Sequence, residues 1–130
     1  MDRPVGIVLV SHSPELAASV LALIRQIASA AVPMAVAGGT ADGRIGTSYE
    51  LVLAAIEQAD RGGGLVVLPD LGSSVITTRA VLADHPRADV ILVDAPFVEG
   101  AVAAAVTAAG GGDLDAVVGA AKEARDVPKL

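Results

Sequence analysis

The sequence predicts an α/β fold of three layers, in which a central, mainly parallel sheet of four strands in the order 2-1-3-4 has helices on both faces. Short apolar, β-branched runs alternate along the chain with longer segments of helical periodicity. The runs are apolar on both faces, which is typical of parallel strands buried between helices. The length of 130 residues suits a single domain, residues 1–130.

The first predicted strand and helix are residues 5–11 and 14–30. Ser13 is well placed to cap the helix, and Pro14 suits its first turn. Apolar residues at helical spacing predict the buried face of this helix: Leu16, Val20, Leu23, Ile24 and Ile27.

A second strand is predicted at residues 32–37 and is followed by the Gly-rich loop "GGTADGRIG", residues 38–46. Thr47 or Ser48 then caps a helix that runs to about Asp60. Its predicted inward-facing residues are Leu51, Val52, Ala55 and Ile56.

The third predicted strand is Leu65–Pro69, and "DLGSS", residues 70–74, leads from it into a helix that extends to about Leu82. The remaining predicted elements are a strand at 90–93, helices at 97–109 and 114–125, and a frayed tail at 124–130.

The candidate catalytic residues are His12 and Asp70, which follow the first and third predicted strands. In such sheets, ligands bind beyond the carboxyl ends of the strands, near the switch point in strand order. If strands one and three are neighbours, the two side chains can meet. A carboxylate that accepts a hydrogen bond from one ring nitrogen fixes the tautomer and leaves the other nitrogen as a nucleophile. Asp70 also fits a helix cap, and the two roles are compatible.

Three loops at this edge precede helix N-termini, whose free amides favour an anion. An imidazole nucleophile among such donors can take up a phosphoryl group without a metal or nucleotide of its own, because phosphoryl transfer mainly requires positioning. The predicted phosphate-binding residues are Ser13, Gly39, Thr40, Gly72, Ser73 and Ser74. His85, Arg44 and Arg79 are expected to be exposed residues without a role in the site.

Composition argues against several other classes of protein. The formal net charge is −6, and no basic stripe with interleaved aromatics occurs, which argues against nucleic-acid binding. The absence of cysteine excludes disulfides and thiolate metal sites. The apolar runs are too short to span a bilayer, and no signal peptide is recognisable, so we expect a cytoplasmic protein that does not insert into membranes.

The motifs "LVSHS", "AGG…IGTS" and "PDLGSS", in this order, resemble those of the phosphotransfer subunits (DhaM family) of bacterial phosphoenolpyruvate-dependent dihydroxyacetone kinases. More broadly, they resemble the mannose-class enzyme IIA domains of the sugar phosphotransferase system. The similarity runs from about Val5 to Ala121. The resemblance implies that the carrier protein HPr phosphorylates His12 and that Asp70 orients the imidazole.

The same resemblance implies that the phosphoryl group passes to ADP on a partner subunit, where magnesium is also expected. That subunit would phosphorylate dihydroxyacetone bound by a third subunit. A homodimer is also implied, and the apolar segment "VILVDAPFVEGAVAAAV" favours self-association independently. Some relatives carry fused HPr-like domains, so here HPr is expected to be a separate protein or the chain to be a fragment.

Three other functions remain open from the sequence. A mannose-class sugar-transport enzyme IIA would use the same histidine, although Ser13 and "DLGSS" resemble the kinase subunit more. A small metal chelatase of tetrapyrrole synthesis also has a His–small–Ser motif after a strand, but it needs further metal ligands, and the only other histidine is His85. A non-enzymatic binding module would need no contact between His12 and Asp70.

Overall fold

The computed structural model describes residues 3–28 and 30–130, and within them the chain forms four strands and five helices. In chain order these elements are β1 Gly6–Ser11, α1 Pro14–Ile27, β2 Met34–Gly38, α2 Tyr49–Ala59, β3 Leu65–Pro69, α3 Gly72–Asp84, β4 Val90–Leu92, α4 Phe97–Ala109 and α5 Leu114–Glu123. All strand pairs are parallel and their order is β2-β1-β3-β4. The predicted fold class and strand order are therefore confirmed.

The central strand β1 brings the ends of three strands to one edge of the sheet. Ser11 lies opposite Gly38 of β2, and Val10 lies opposite Pro69 of β3. Every residue of β1 is buried, because helices cover both faces of the sheet. Residues 12, 39 and 70, which follow these strands, consequently meet at the carboxyl edge.

The two faces of the sheet carry separate hydrophobic clusters. Side chains alternate along β1, so Ile7 and Leu9 pack with α1, α4 and α5, whereas Val8 and Val10 pack with α2 and α3. Both clusters are built almost entirely of Ala, Val, Leu and Ile. The site at the carboxyl edge therefore rests on a rigid, closely packed base.

Helix α1 differs from its prediction in length and in the face that it buries. It ends at Ile27, where the amide of Ala28 donates to the Ile24 carbonyl at 2.8 Å; Ser29, within the predicted helix, lies outside the described residues. The buried residues are Ala17, Val20 and Ile24, while Leu16, Leu23 and Ile27 are exposed. A Cβ at Gly38 would lie 3.0 Å from that of Ala17. Small residues at this close approach thus select the buried face.

Helix α3 begins one residue later than a cap at Asp70 would require. Its N-cap residue is Leu71, so the interpretation of Asp70 as a helix cap is wrong. The helix buries the polar residues Ser74 and Thr78 and exposes Leu71 and Ile76, an arrangement opposite to the usual one. Ser74 is buried because its hydroxyl serves the site described below.

The remaining differences concern the ends of elements. Strand β2 starts two residues after its predicted start, and strand β4 ends one residue before its predicted end. Ser48 caps α2 and Asp113 caps α5, each by accepting a hydrogen bond from a main-chain amide. Residues 127–130 form neither helix nor strand, yet Lys129 Nζ lies 2.9 Å from Glu99 Oε2. Fraying of the tail, residues 124–130, stays a prediction. None of the helices in the described ranges is long and apolar enough to cross a membrane.

Candidate active site

His12 lies between the end of β1 and the first turn of α1, and its side chain is 21% exposed. Its Nδ1 atom is 2.9 Å from Oδ1 of Asp70. Asp70 reaches this position because β3 continues beside β1, where the Asp70 amide donates to the Val10 carbonyl at 3.0 Å. The contact expected from the strand order is therefore present.

The Asp70 carboxylate accepts hydrogen bonds at both oxygens. Oδ1 receives the Ser74 hydroxyl at 2.7 Å, the Leu71 amide at 2.7 Å and the His12 ring. Oδ2 receives the Ser11 hydroxyl at 2.8 Å and the His12 amide at 3.1 Å. The side chain is only 7% exposed, so these donors replace most of its contact with water.

These donors determine the charge of Asp70. Burial alone would raise its pKa, but the hydrogen bonds from Ser74, His12 and Ser11 outweigh burial and lower the pKa to about 2. An ionised carboxylate can only accept hydrogen bonds, so Nδ1 of His12 must carry the proton. In neutral imidazole, the lone pair that can act as nucleophile is then on Nε2.

One hydroxyl group lies beside Nε2, and a second hydroxyl lies within hydrogen-bond distance of the first. The Ser73 Oγ atom contacts Nε2 directly, and Thr47 Oγ1 lies 3.0 Å from Ser73 Oγ. Ser73 is in the first turn of α3, whose free amides and positive dipole end favour negative charge. The nucleophilic nitrogen therefore faces hydroxyl donors and a helix N-terminus.

Main-chain hydrogen bonds fix the surroundings of the histidine. The amide of Gly46, in the long loop after β2, donates to the His12 carbonyl at 2.9 Å. The Ser13 amide donates to the Ser11 hydroxyl at 3.1 Å, and the Ser13 hydroxyl caps α1 by accepting from the Leu16 amide at 3.1 Å. Both sides of His12 are thus held by main-chain contacts.

Apart from Ser13, which caps α1, the predicted phosphate-binding residues fall into two groups. Ser73 and Ser74 contact His12, and a Cβ at Gly72 would meet no atom within 4 Å, which leaves open space at the start of α3. In the loop after β2, the Gly39 amide donates to the Ser11 carbonyl, and the Thr40 hydroxyl bonds with Asp42 and Arg44. The roles of all six residues in binding phosphate stay predictions.

Sequence reasoning missed Ser11 and Thr47 as site residues. Both lie within the motifs "LVSHS" and "IGTS". Hydroxyl residues are common in loops, and Thr47 also fits a helix cap. The sequence therefore carries no specific signal for the contact of Ser11 with Asp70 or of Thr47 with Ser73.

Of the residues expected to lack a role in the site, Arg79 lines a cavity of about 270 Å³ together with Asp70, so its lack of a role stays a prediction. His85 is exposed at the end of α3, with its ring 6.5 Å from that of Tyr49. Arg44 forms an exposed ion pair with Asp42, and Arg79 is exposed on α3. Among residues 3–28 and 30–130, no group of three or more His, Asp or Glu side chains is arranged to hold a metal ion.

Comparison with known proteins agrees with this geometry. The family model described as "PTS system fructose IIA component" (EIIA-man) matches residues 6–118, which contain the complete fold from β1 into α5. The chain thus belongs to the mannose-class enzyme IIA family.

Individual relatives narrow the assignment. The chain is 41% identical over 107 residues to the phosphoryl donor subunit DhaM of dihydroxyacetone kinase 1 from Listeria innocua, covering 81% of this chain and 82% of the relative. Identity to DhaM from Lactococcus lactis is 34% over 112 residues, covering 86% and 89%. The chain belongs to this DhaM family of enzyme IIA-type proteins.

Two further matches concern length and fold. DhaM from Escherichia coli is 39% identical over 120 residues, and the match covers 88% of this chain but 25% of that longer protein. The crystal structure of EF1359, described as a protein of unknown function, superposes with a TM-score of 0.82 at 34% identity and 95% coverage of both chains.

Proposed function

We propose that this chain is a phosphohistidine carrier that accepts a phosphoryl group from HPr on Nε2 of His12 and passes it to ADP on a partner subunit of dihydroxyacetone kinase. The observation that carries the proposal is the contact of Asp70 with Nδ1, because it leaves Nε2 as the available nucleophile. The relatives named as a phosphoryl donor subunit and a phosphotransferase subunit support the same function.

The proposed transfer requires two similar steps. Nε2 forms a bond to phosphorus while the N–P bond of phosphorylated HPr breaks and its electron pair returns to the HPr nitrogen. In the second step, the Nε2–P bond breaks and a terminal oxygen of ADP takes the phosphoryl group. The proton on Nδ1 stays in place in both steps. Asp70 stabilises the positive charge that the ring gains when Nε2 is phosphorylated.

The chain needs no cofactor for these steps, because a loose phosphoryl-transfer transition state depends on alignment and on donors to its oxygens. The hydroxyls near Nε2 and the amides of α3 provide donors of this kind. ADP and magnesium belong to the partner subunit in this proposal, and the shared use of HPr and ADP implies a cytoplasmic protein.

A sugar-transport enzyme IIA is the second candidate, since the matching family model is described as a fructose component. The relatives favour the kinase. The chain covers more than four-fifths of the length of DhaM from Listeria innocua and from Lactococcus lactis, and both are named as dihydroxyacetone kinase subunits. The two functions share the phosphorylated histidine and differ only in the acceptor.

The test is reconstitution from phosphoenolpyruvate, enzyme I, HPr and this chain, followed by the ADP-loaded kinase subunit with its dihydroxyacetone-binding partner. We expect dihydroxyacetone phosphate to form with wild type and with His85→Ala, but not with His12→Ala. Phosphorylation of His12 without transfer to the kinase subunit would favour the transport candidate. No phosphorylation at all would leave a chelatase or a binding module as the remaining candidates.

We also propose that the chain forms a homodimer. A cavity of about 470 Å³ lies between α4, α5 and the C-terminal residues, and its lining includes Ala103, Val106, Val127 and Pro128. Val106 is 50% exposed in the single chain, so association through this region would bury apolar surface. Sedimentation at micromolar concentration should give a dimer, and a monomer under these conditions would contradict the proposal.

A further inference from the structure

Thr47 is connected to the nucleophilic nitrogen through one other hydroxyl group. Its Oγ1 atom lies 3.0 Å from Ser73 Oγ, which contacts Nε2 of His12. Thr47 is held in turn by its neighbour Gly46, whose amide donates to the His12 carbonyl at 2.9 Å. The loop after β2 and the start of α3 therefore meet at these two hydroxyls.

The direction of each hydrogen bond follows from the ionised Asp70. Since Nδ1 of His12 must donate to the carboxylate, Nε2 of the neutral, nucleophilic ring can only accept, and the Ser73 hydroxyl must donate to it. The Ser73 oxygen is then an acceptor for the hydroxyl proton of Thr47. The four side chains form one hydrogen-bonded chain, in which Thr47 donates to Ser73, Ser73 donates to His12, and His12 donates to Asp70.

We propose that Thr47 is a positioning residue for phosphotransfer, which orients the Ser73 hydroxyl so that it can donate to a phosphoryl oxygen once Nε2 is bonded to phosphorus. This inference rests on the proposed function of the chain as a phosphohistidine carrier. Once Nε2 is bonded to phosphorus, its lone pair can no longer accept from Ser73. The hydroxyl proton of Ser73 then needs a new acceptor, and the phosphoryl oxygens are the nearest groups that the reaction supplies, whereas Thr47 can go on donating to the Ser73 oxygen.

No proton is lost or gained by these hydroxyls during the step. Nε2 bonds to phosphorus, the donor's N–P bond breaks, and its electron pair remains on the donor nitrogen. Ser73 and Thr47 keep their protons, and only Ser73 exchanges one acceptor, Nε2, for another, a phosphoryl oxygen. Thr47 therefore acts on the rate of transfer and not on recognition of the donor protein.

The experiment compares Thr47→Val, which removes the hydroxyl at nearly constant shape, with Thr47→Ser, which retains it. Thr77→Val is the matched control, because Thr77 is also half-buried but lies further along α3, beyond the first turn that carries Ser73. Rapid-quench kinetics with phosphorylated HPr at varied concentration give the maximal transfer rate and the half-saturating concentration separately.

We expect Thr47→Val to lower the maximal rate roughly three- to tenfold, which is the effect of one hydrogen bond, with an unchanged half-saturating concentration. Thr47→Ser should retain most of the wild-type rate. In ¹⁵N spectra, Thr47→Val should shift the Nε2 resonance of His12 and leave Nδ1 nearly unchanged.

An unchanged maximal rate in Thr47→Val would overturn the inference. Equal losses of the maximal rate in Thr47→Val and Thr47→Ser would overturn it as well. So would a change in Thr47→Val that is confined to the half-saturating concentration. A wild-type chain that HPr does not phosphorylate would overturn the proposed function itself. The two failures are distinguishable, because the first requires an active wild type.

Discussion

The Nδ1 atom of His12 lies 2.9 Å from Oδ1 of Asp70, although the two residues are 58 positions apart in the sequence. The parallel pairing of β1 with β3 brings them together, and four further donors hold the carboxylate in place. The account of function depends on this contact, since it determines which ring nitrogen is free to react.

Asp70→Asn tests the contact chemically. An amide offers one acceptor oxygen in place of two, so several donors around residue 70 lose their acceptor and the ring loses its ionic partner. We expect phosphotransfer from HPr to slow about tenfold or more. We also expect the free energy of unfolding to fall by about 2 kcal/mol, since the lost hydrogen bonds involve a buried charge. Transfer kinetics and urea unfolding give the two values.

Asp94→Asn is the control, because Asp94 also follows a strand at this edge but is exposed and forms an exposed ion pair with Arg125 at 3.2 Å. Asp94→Asn should change neither the rate of phosphotransfer from HPr nor the free energy of unfolding appreciably. Wild-type transfer kinetics in Asp70→Asn would exclude an orienting role for Asp70.

The low pKa of Asp70 predicts a specific acid sensitivity. Because the folded-state pKa is lowered from 3.8 to about 2, the carboxylate stabilises the fold above pH 3.8, and this contribution is lost as the pH falls towards 2. The shift corresponds to ~2 kcal/mol. Urea unfolding between pH 7 and pH 2 should show this loss in wild type, and its absence in Asp70→Asn. Parallel pH profiles of the two proteins would contradict the prediction.

Thr78 offers a test of core packing. Its side chain is fully buried in α3, and its hydroxyl has no hydrogen-bond partner among residues 3–28 and 30–130. Thr78→Val removes the hydroxyl with little change in shape, so the free energy of unfolding should rise by about 1 kcal/mol. Thr77→Val, at a half-buried position on the same helix, should have almost no effect. A lower stability of Thr78→Val in urea unfolding would show that the hydroxyl is satisfied.

Gly39 tests how tightly the loop after β2 is held. Its φ of +70° favours glycine, and an added Cβ would lie 2.5 Å from the Arg44 carbonyl oxygen and 2.6 Å from Pro14 Cγ. Gly43 has a similar φ of +83°, but an added Cβ there would meet no atom within 4 Å. Alanine should cost about 1 kcal/mol at either position, and a further 1–3 kcal/mol at Gly39 for the clash. Equal losses in thermal or urea unfolding would refute this difference.

Much of the fold could be predicted from the sequence, because strand β1 and its neighbours are continuous apolar runs and Ser13 and Ser48 cap helices in the expected way. The buried face of α1 was predicted only in part, at Val20 and Ile24. The large residues Leu16 and Leu23 suggested one face, but close packing beside Gly38 requires the smaller Ala17. Such steric selection depends on contacts between distant segments.

The candidate site was predictable to a similar extent. His12 and Asp70 stand out because a titratable residue directly after a buried strand is uncommon and parallel pairing brings the strand ends together. The contacts of Ser11 and Thr47 depend on side-chain direction at the ends of β1 and of the loop, which periodicity does not report. Likewise, burial of Ser74 in α3 reflects its hydrogen bond to Asp70 and not its polarity.

The most direct test of the central claim is to identify the phosphorylated nitrogen after incubation with phosphoenolpyruvate, enzyme I and HPr. Intact-mass measurement should show one added phosphoryl group on wild type and on His85→Ala, and none on His12→Ala. The group should be labile in acid and stable in base. Phosphorus–nitrogen NMR of ¹⁵N-labelled protein should assign it to Nε2 of His12, the nitrogen opposite Asp70. Phosphate on Nδ1, on His85 or on the His12→Ala protein would contradict the account.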